Sequence, residues 1–169
     1  METVVITGAS SGIGLSTTRL FLNKGWNVMM ASNQRDEGER LDKKFADQFG
    51  ADRVAFAYTD VSDAASVAAL RDATFDKFGT VTSLVNDAGI VVSGKLHEVS
   101  EQDWNQVFAV NVTGTYLVSK AFLPAMIAQH RGTIVNISSI SGLAGDFNMV
   151  AYNATKGAIV NMTRAMAMD

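Results

Sequence analysis

Along this 169-residue chain, short runs of β-forming residues alternate with helix-length amphipathic segments, and that alternation constrains the fold more than any other feature. Strands separated by such segments become parallel strands joined by crossover helices, giving an α/β sheet covered on both faces. Thr3 to Thr7 reads as the first strand, followed by a helix from about Gly12 to Lys24 that stops at Gly25. Asn27 to Ala31 is the second strand, and Arg35 to Gln48 a helix whose Leu41, Phe45 and Phe49 recur at helical spacing. Arg53 to Tyr58 is the third strand. Ser62 or Asp63 can cap the next helix, striped by Val67, Leu70 and Phe78. Ser83 to Asn86 starts a fourth strand, and one helix is expected from about Glu101 to His130, with Pro124 inside it. Gly132 to Ser138 reads as a buried fifth strand that delivers Ser139 at its carboxyl end, and a helix from about Ala151 runs to the terminus.

Composition narrows the function classes. The chain is 47% hydrophobic and 18% charged, which suits one packed domain over residues 1–169. A net charge of −3 offers no basic stripe for nucleic acid. There is no cysteine, so a disulfide framework, thiolate catalysis and a cysteine zinc site are excluded, and His97 and His130 stand apart in polar segments, so no metal site is expected. Neither a signal-like leader nor an apolar run of membrane length is visible, which points to the cytoplasm. The final helix carries an apolar face of Ala158, Ile159, Met162, Ala165 and Met166 with no strand after it. The expectation is therefore a domain incomplete at its C-terminus, with Ile159, Met162 and Met166 partly uncovered.

Two groups of residues carry chemistry. Thr7-Gly8-Ala9-Ser10-Ser11-Gly12-Ile13-Gly14 follows a strand and opens a helix, so backbone amides and the helix N-terminus can approach a pyrophosphate. Tyr152 and Lys156 are four apart and share a helical face, and an ammonium that close favours the phenolate, as a general acid or base requires. Ser139 places a hydroxyl on the sheet edge where open α/β sheets bind ligands, with Ser138 as its rival. Asn111 sits mid-helix, where asparagine fits poorly.

Thr7-Gly8-x-x-x-Gly12-x-Gly14, Asn86-Asp87-Ala88-Gly89, Asn111, Ser139 and Tyr152-x-x-x-Lys156 resemble, in order and spacing and over the whole chain, the classical short-chain dehydrogenases/reductases. The resemblance implies a Rossmann-like doubly wound parallel sheet flanked by helices, with five strands present and the C-terminal strands missing. It implies an NAD(P)(H)-dependent oxidoreductase that interconverts a ketone and a secondary alcohol by hydride transfer. Tyr152 would be the acid/base, Lys156 its partner and a ligand of the nicotinamide ribose, Ser139 the donor to the substrate oxygen, and Asn111 the holder of a water. Gly8, Ser10, Ser11, Gly12, Ile13, Gly14, Asp60, Val61, Asn86, Ala88 and Gly89 would contact the cofactor, with Asp60 on the adenine amine. The alternative is a dinucleotide-binding regulatory protein or fragment without turnover.

Cofactor choice is read about 20 residues past the glycine loop, where an acidic residue binds the ribose of NAD. Here Ser32, Asn33 and Arg35 suit a 2'-phosphate, so NADP(H) is favoured over NAD(H), against the nearby Asp36 and Glu37. Asp87 departs from the commoner asparagine of the family, as does Thr82 from its aspartate. The stretch Ser141 to Phe147 is similar to that of acetoin and butanediol dehydrogenases, implying a small carbonyl or alcohol substrate. Apolar residues in excess of one sheet-facing stripe on Asn105 to Ile127 and Ala151 to Met168 suggest a homodimer or homotetramer.

Overall fold

The computed structural model describes residues 1–168. Five strands, β1 (Thr3–Thr7), β2 (Asn27–Ser32), β3 (Val54–Tyr58), β4 (Ser83–Asn86) and β5 (Thr133–Asn136), form one parallel sheet in the order β3-β2-β1-β4-β5. The chain returns to the middle of the sheet between β3 and β4, so the switch point lies between β1 and β4. Their register pairs Val4 with Ser83 and Ile6 with Val85. The crevice for ligands is therefore at the carboxyl ends of these two strands, where both the glycine loop and the Asn86-Asp87-Ala88-Gly89 segment begin.

Period-two alternation splits the core in two. On one face Val5, Met29, Ala31 and Leu84 join Val67, Leu70, Val118 and Phe122 from α3 (Ala64–Phe78) and α5 (Gly114–Ala128). On the other, Val4, Ile6, Val28, Met30 and Val85 join Leu22 from α1 (Gly12–Asn23) and Leu41 and Phe45 from α2 (Arg35–Phe49). Asp63 caps α3, accepting from the N–H groups of Ala65 and Ser66 at 3.1 and 3.3 Å. Neither Ser62 nor Asp60 fills that role.

Two expectations about elements are corrected. The single helix from Glu101 to His130 is instead α4 (Glu101–Phe108), a π-helical turn (Ala109–Thr113) and α5. Pro124 is accommodated inside α5. The interruption falls on Asn111, whose side chain makes the three tertiary hydrogen bonds described below. The fifth strand is shorter than Gly132 to Ser138 and is not buried. Along β5, Thr133 and Val135 are exposed while Ile134 and Asn136 are half-buried, because β4 pairs with one side and no strand among the described residues pairs with the other. The last helix, α6 (Val150–Met166), packs against α4 and the π-turn. Ile159 on it is buried, contrary to expectation, whereas Met162 and Met166 line an open apolar groove with Tyr116, Leu123, Pro124 and Ile127. No helix is long and apolar enough to cross a membrane among the described residues.

Candidate active site

The glycine loop and the β4 loop are laced together. The Thr7 hydroxyl accepts from the backbone N–H groups of Asp87 and Ala88, each at 3.1 Å. Gly8 turns there with φ of +67°, and a Cβ on it would stand 3.0 Å from the Ala88 nitrogen. Gly14 is tighter still, since a Cβ would lie 2.4 Å from the Gly8 carbonyl oxygen. Only glycine allows this approach, and it brings the N-terminus of α1 to the crevice.

A cleft of about 220 Å³ opens beside the loop, walled by Gly8, Ser10, Ser11, Ser32, Asn33, Asp60, Val61, Ala88 and Gly89. At its β2 end the Ser10 and Ser32 hydroxyls lie 2.7 Å apart, and Gln34 donates its N–H to Ser32 at 3.1 Å. Asp60 accepts from the Ser62 hydroxyl at 2.6 Å and N–H at 2.9 Å, which fixes its carboxylate at the cleft.

Other expected cofactor residues lie elsewhere. Gly12 and Ile13 face a separate shallow groove, and Gly14 is buried behind the loop. Asn86 is buried and donates to Ser119 Oγ at 3.0 Å and Asn136 Oδ1 at 2.8 Å, so its amide ties β4 to α5 and β5 instead of lining the cleft. Arg35 is outside the cleft wall, its guanidinium 4.4 Å from the centre of the Tyr58 ring and 3.6 Å from Glu39.

The four candidate catalytic residues come from the π-turn, the turn after β5 and α6. Asn111 is buried, accepting the Ile90 N–H at 2.8 Å and donating to the Ile90 carbonyl at 2.9 Å and to Thr155 Oγ at 3.1 Å. It thus bolts the β4 loop to α6. A Cβ on Gly89 would meet Asn111 Oδ1 at 3.3 Å and Lys156 Nζ at 3.7 Å, so the cleft wall runs directly into these two side chains. Lys156 is only 6% exposed. Its Nζ donates to the Ile137 carbonyl at 2.8 Å and stands 5.6 Å from the centre of the Tyr152 ring. Burial pushes the Lys156 pKa down, and the Asp87 carboxylate opposes that shift.

Ser138 is committed to structure, donating its hydroxyl to the Lys156 carbonyl at 2.9 Å. That bond, with Gly142 packed on the same carbonyl, presses the turn bearing Ser139 against the turn of α6 bearing Tyr152 and Lys156. Ser139 accepts the Ser141 N–H at 3.2 Å and its hydroxyl donates to Ser141 Oγ at 3.1 Å. Ser141 in turn donates to Asp146. Ser139 is therefore a turn cap and the first member of a hydroxyl chain that ends on the Asp146 carboxylate.

The profile of the short chain dehydrogenase family matches residues 2–169. The chain belongs to the short-chain dehydrogenase family. It is 42% identical over 168 residues to 2-(S)-hydroxypropyl-CoM dehydrogenase 3 of Xanthobacter autotrophicus, covering 99% of this chain and 65% of that protein. It is 38% identical to meso-2,3-butanediol dehydrogenase of Serratia marcescens, with the same two coverages. A short-chain dehydrogenase/reductase from Burkholderia phymatum, solved in complex with NAD, superposes with a TM-score of 0.94 at 36% identity, over 98% of this chain and 58% of its own. The chain thus spans less than two thirds of the length of these relatives.

Several contacts of this candidate site were not legible in the sequence. Thr155 is a partner of Asn111 only because the π-turn meets α6. The Ser141–Asp146 link depends on a loop with no periodicity. Gln106 and Val110, both on the cleft wall, are four apart on one helical face, a spacing that could have been noticed.

Proposed function

We propose that the complete protein is an NADP(H)- or NAD(H)-dependent oxidoreductase interconverting a small ketone and a secondary alcohol, with Tyr152 as general acid/base. The observation that carries this reading is the burial of Lys156 beside Tyr152, at the end of a cleft cradled by Gly8 and Gly14. A buried lysine that serves only structure is expensive, whereas an ammonium held beside a phenol has chemical use.

The cradle fits a dinucleotide. The close approach at Gly8 and Gly14 leaves room for phosphate against backbone N–H groups, and Asp60 stands where a donor such as an adenine amine would be met. When bound, a nicotinamide dinucleotide supplies or accepts the hydride. This chain does the rest. In reduction the Tyr152 hydroxyl gives its proton to the carbonyl oxygen as the carbon becomes an alcohol, and in oxidation it takes that proton back. Ser139 turns its hydroxyl from Ser141 to the substrate oxygen, stabilising charge where it develops. Lys156 favours the phenolate and anchors the ribose hydroxyls. Asn111 holds α6 in register with the β4 loop, the geometry a near-attack arrangement demands.

NADP(H) is the proposed preference, supported by Ser32 in place of a carboxylate at the end of β2, with Asn33 exposed beside it. Likeness to butanediol dehydrogenase supports a compact hydroxyketone or diol as substrate, and a homo-oligomer in the cytoplasm remains the proposed setting. The test is Tyr152→Phe in the full-length protein, assayed against a ketone panel with NADPH and NADH and by fluorescence titration of each. Turnover is expected to vanish while dinucleotide binding is kept. Wild-type turnover in the variant would remove Tyr152 from the mechanism.

A further inference from the structure

The proton of Ser139 is already in use. Its hydroxyl donates to Ser141 Oγ at 3.1 Å, its oxygen accepts the Ser141 N–H at 3.2 Å, and the Ser141 hydroxyl donates to the Asp146 carboxylate. The direction of this chain is set from its far end. A carboxylate only accepts, and a serine hydroxyl has one hydrogen. With that hydrogen on Asp146, Ser141 Oγ has only lone pairs for Ser139, so Ser139 must be the donor. Bonding to an anion also makes Ser141 Oγ a stronger acceptor than an isolated hydroxyl.

The far end is itself anchored. Ser141 is buried and Asp146 lies in the exposed loop after it, where the Asp146 backbone carbonyl accepts the Asn153 side-chain amide at 3.3 Å. Asn153 follows Tyr152 on α6, so the loop bearing the carboxylate is tied to the helix bearing the phenol. No ion pair among the described residues includes Asp146, so no cation competes there with the Ser141 hydroxyl.

We propose that Asp146 is a positioning residue that acts on Ser139 through Ser141, tying the Ser139 proton back until a carbonyl oxygen takes it. This rests on the reading of Ser139 as the donor to the substrate oxygen. A ketone must draw that proton away from Ser141, exchanging one hydrogen bond for another. The tie therefore weakens carbonyl binding, and only a ligand that puts an acceptor at Ser139 recovers the bond it breaks. Asp146→Ala frees Ser141 to turn its hydrogen toward Ser139, which then offers its own proton unopposed.

Steady-state reduction of a ketone panel by the full-length protein tests this. In Asp146→Ala the ketone KM is expected to fall roughly three- to tenfold with kcat kept, the size of one net hydrogen bond. Loss of a carboxylate that merely shaped the loop would raise KM or lower kcat, and a KM that rises or stays unchanged overturns the proposal. Should Asp146→Ala not fold, Ser141→Ala removes the same tie while keeping the Ser141 N–H bond to Ser139, and the same criterion applies. A wild-type protein that reduces no carbonyl rejects the oxidoreductase reading. The tie is then decided by urea unfolding of Ser139→Ala, Asp146→Ala and the double variant. These two side chains meet only through Ser141, so losses smaller than additive sustain the tie and additive losses overturn it.

Discussion

Replacing Asn111 with leucine separates two accounts of why an asparagine is buried in the middle of a helix. Leucine keeps the branched outline of the side chain and removes all three side-chain hydrogen bonds, leaving the Ile90 N–H and carbonyl facing methyl groups. Each backbone group stranded away from water costs about 1–3 kcal/mol. Ile90 is half-buried, so the lower half of that range applies and the sum is roughly 3 kcal/mol. Thr155 loses little, because its hydroxyl still donates to the Tyr152 carbonyl at 2.8 Å. For a chain of this length the melting temperature would fall by about 6–12 °C.

Alanine at the same position is the control. It opens a space that a water can enter to serve both Ile90 groups, so it should cost only about 1–2 kcal/mol. If packing alone mattered the order would reverse, since alanine leaves the larger cavity. Urea unfolding of the 169-residue chain followed by tryptophan fluorescence gives both values. A leucine variant as stable as the alanine variant would refute the hydrogen-bond account of Asn111.

Four further outcomes are expected. Asp42 is half-buried with its Oδ1 unpaired, and burial raises its carboxyl above the ordinary range against the pull of Lys77. A carboxyl raised on folding costs stability only where the unfolded chain would ionise, so Asp42→Asn should raise the melting temperature at pH 7, with the gain gone below about pH 4. Gly14→Ala drives a Cβ into the Gly8 carbonyl, and should cost roughly 1–3 kcal/mol by thermal melting and abolish NADPH binding by fluorescence titration. Arg35→Ala should weaken NADPH more than NADH in paired titrations, provided the guanidinium leaves Tyr58 for a 2'-phosphate; equal weakening refutes that role. Leu123→Glu, in the apolar groove with Ile127 and Met166, should dissociate a full-length oligomer in light scattering without disturbing its monomer fold.

The fold was legible because strand and helix lengths are local properties. Every strand was located to within a residue or so apart from β5, whose apolar run Ile134-Val135 promised burial. Burial is not local: it requires a neighbour on the far side of the strand, and sequence pattern carries no record of whether one is there. The π-turn was likewise invisible. Asn111 looked anomalous in a helix, but the anomaly became a change of helical type only because Ile90 and Thr155 converge on it from segments 21 and 44 residues away. Within the site, the tight turn at Gly8 and Gly14 was legible because a glycine-rich strand-to-helix turn is a local feature. The partners of the Asn86 amide were not legible from its motif, since they are Ser119 and Asn136 on other elements.

Four residues with costly local environments gather at one place. Gly8 holds a left-handed backbone, Asn111 interrupts a helix, Lys156 is a buried amine and Asp87 a half-buried carboxyl group. Each alone lowers stability, and each touches or faces the segment from Asp87 to Ile90. That segment has no regular structure of its own, so its position is fixed by Thr7 from β1 on one side and Asn111 from the π-turn on the other. A loop held in this way can carry strain that a loop free to relax would lose. The two hydrogen bonds from Thr7 place the cleft floor relative to the glycine loop, and those of Asn111 place the same floor relative to Tyr152 and Lys156. The β4 loop is thus the common reference between the glycine-loop end and the Tyr152–Lys156 end of the site, and an error in either clamp would be felt at both.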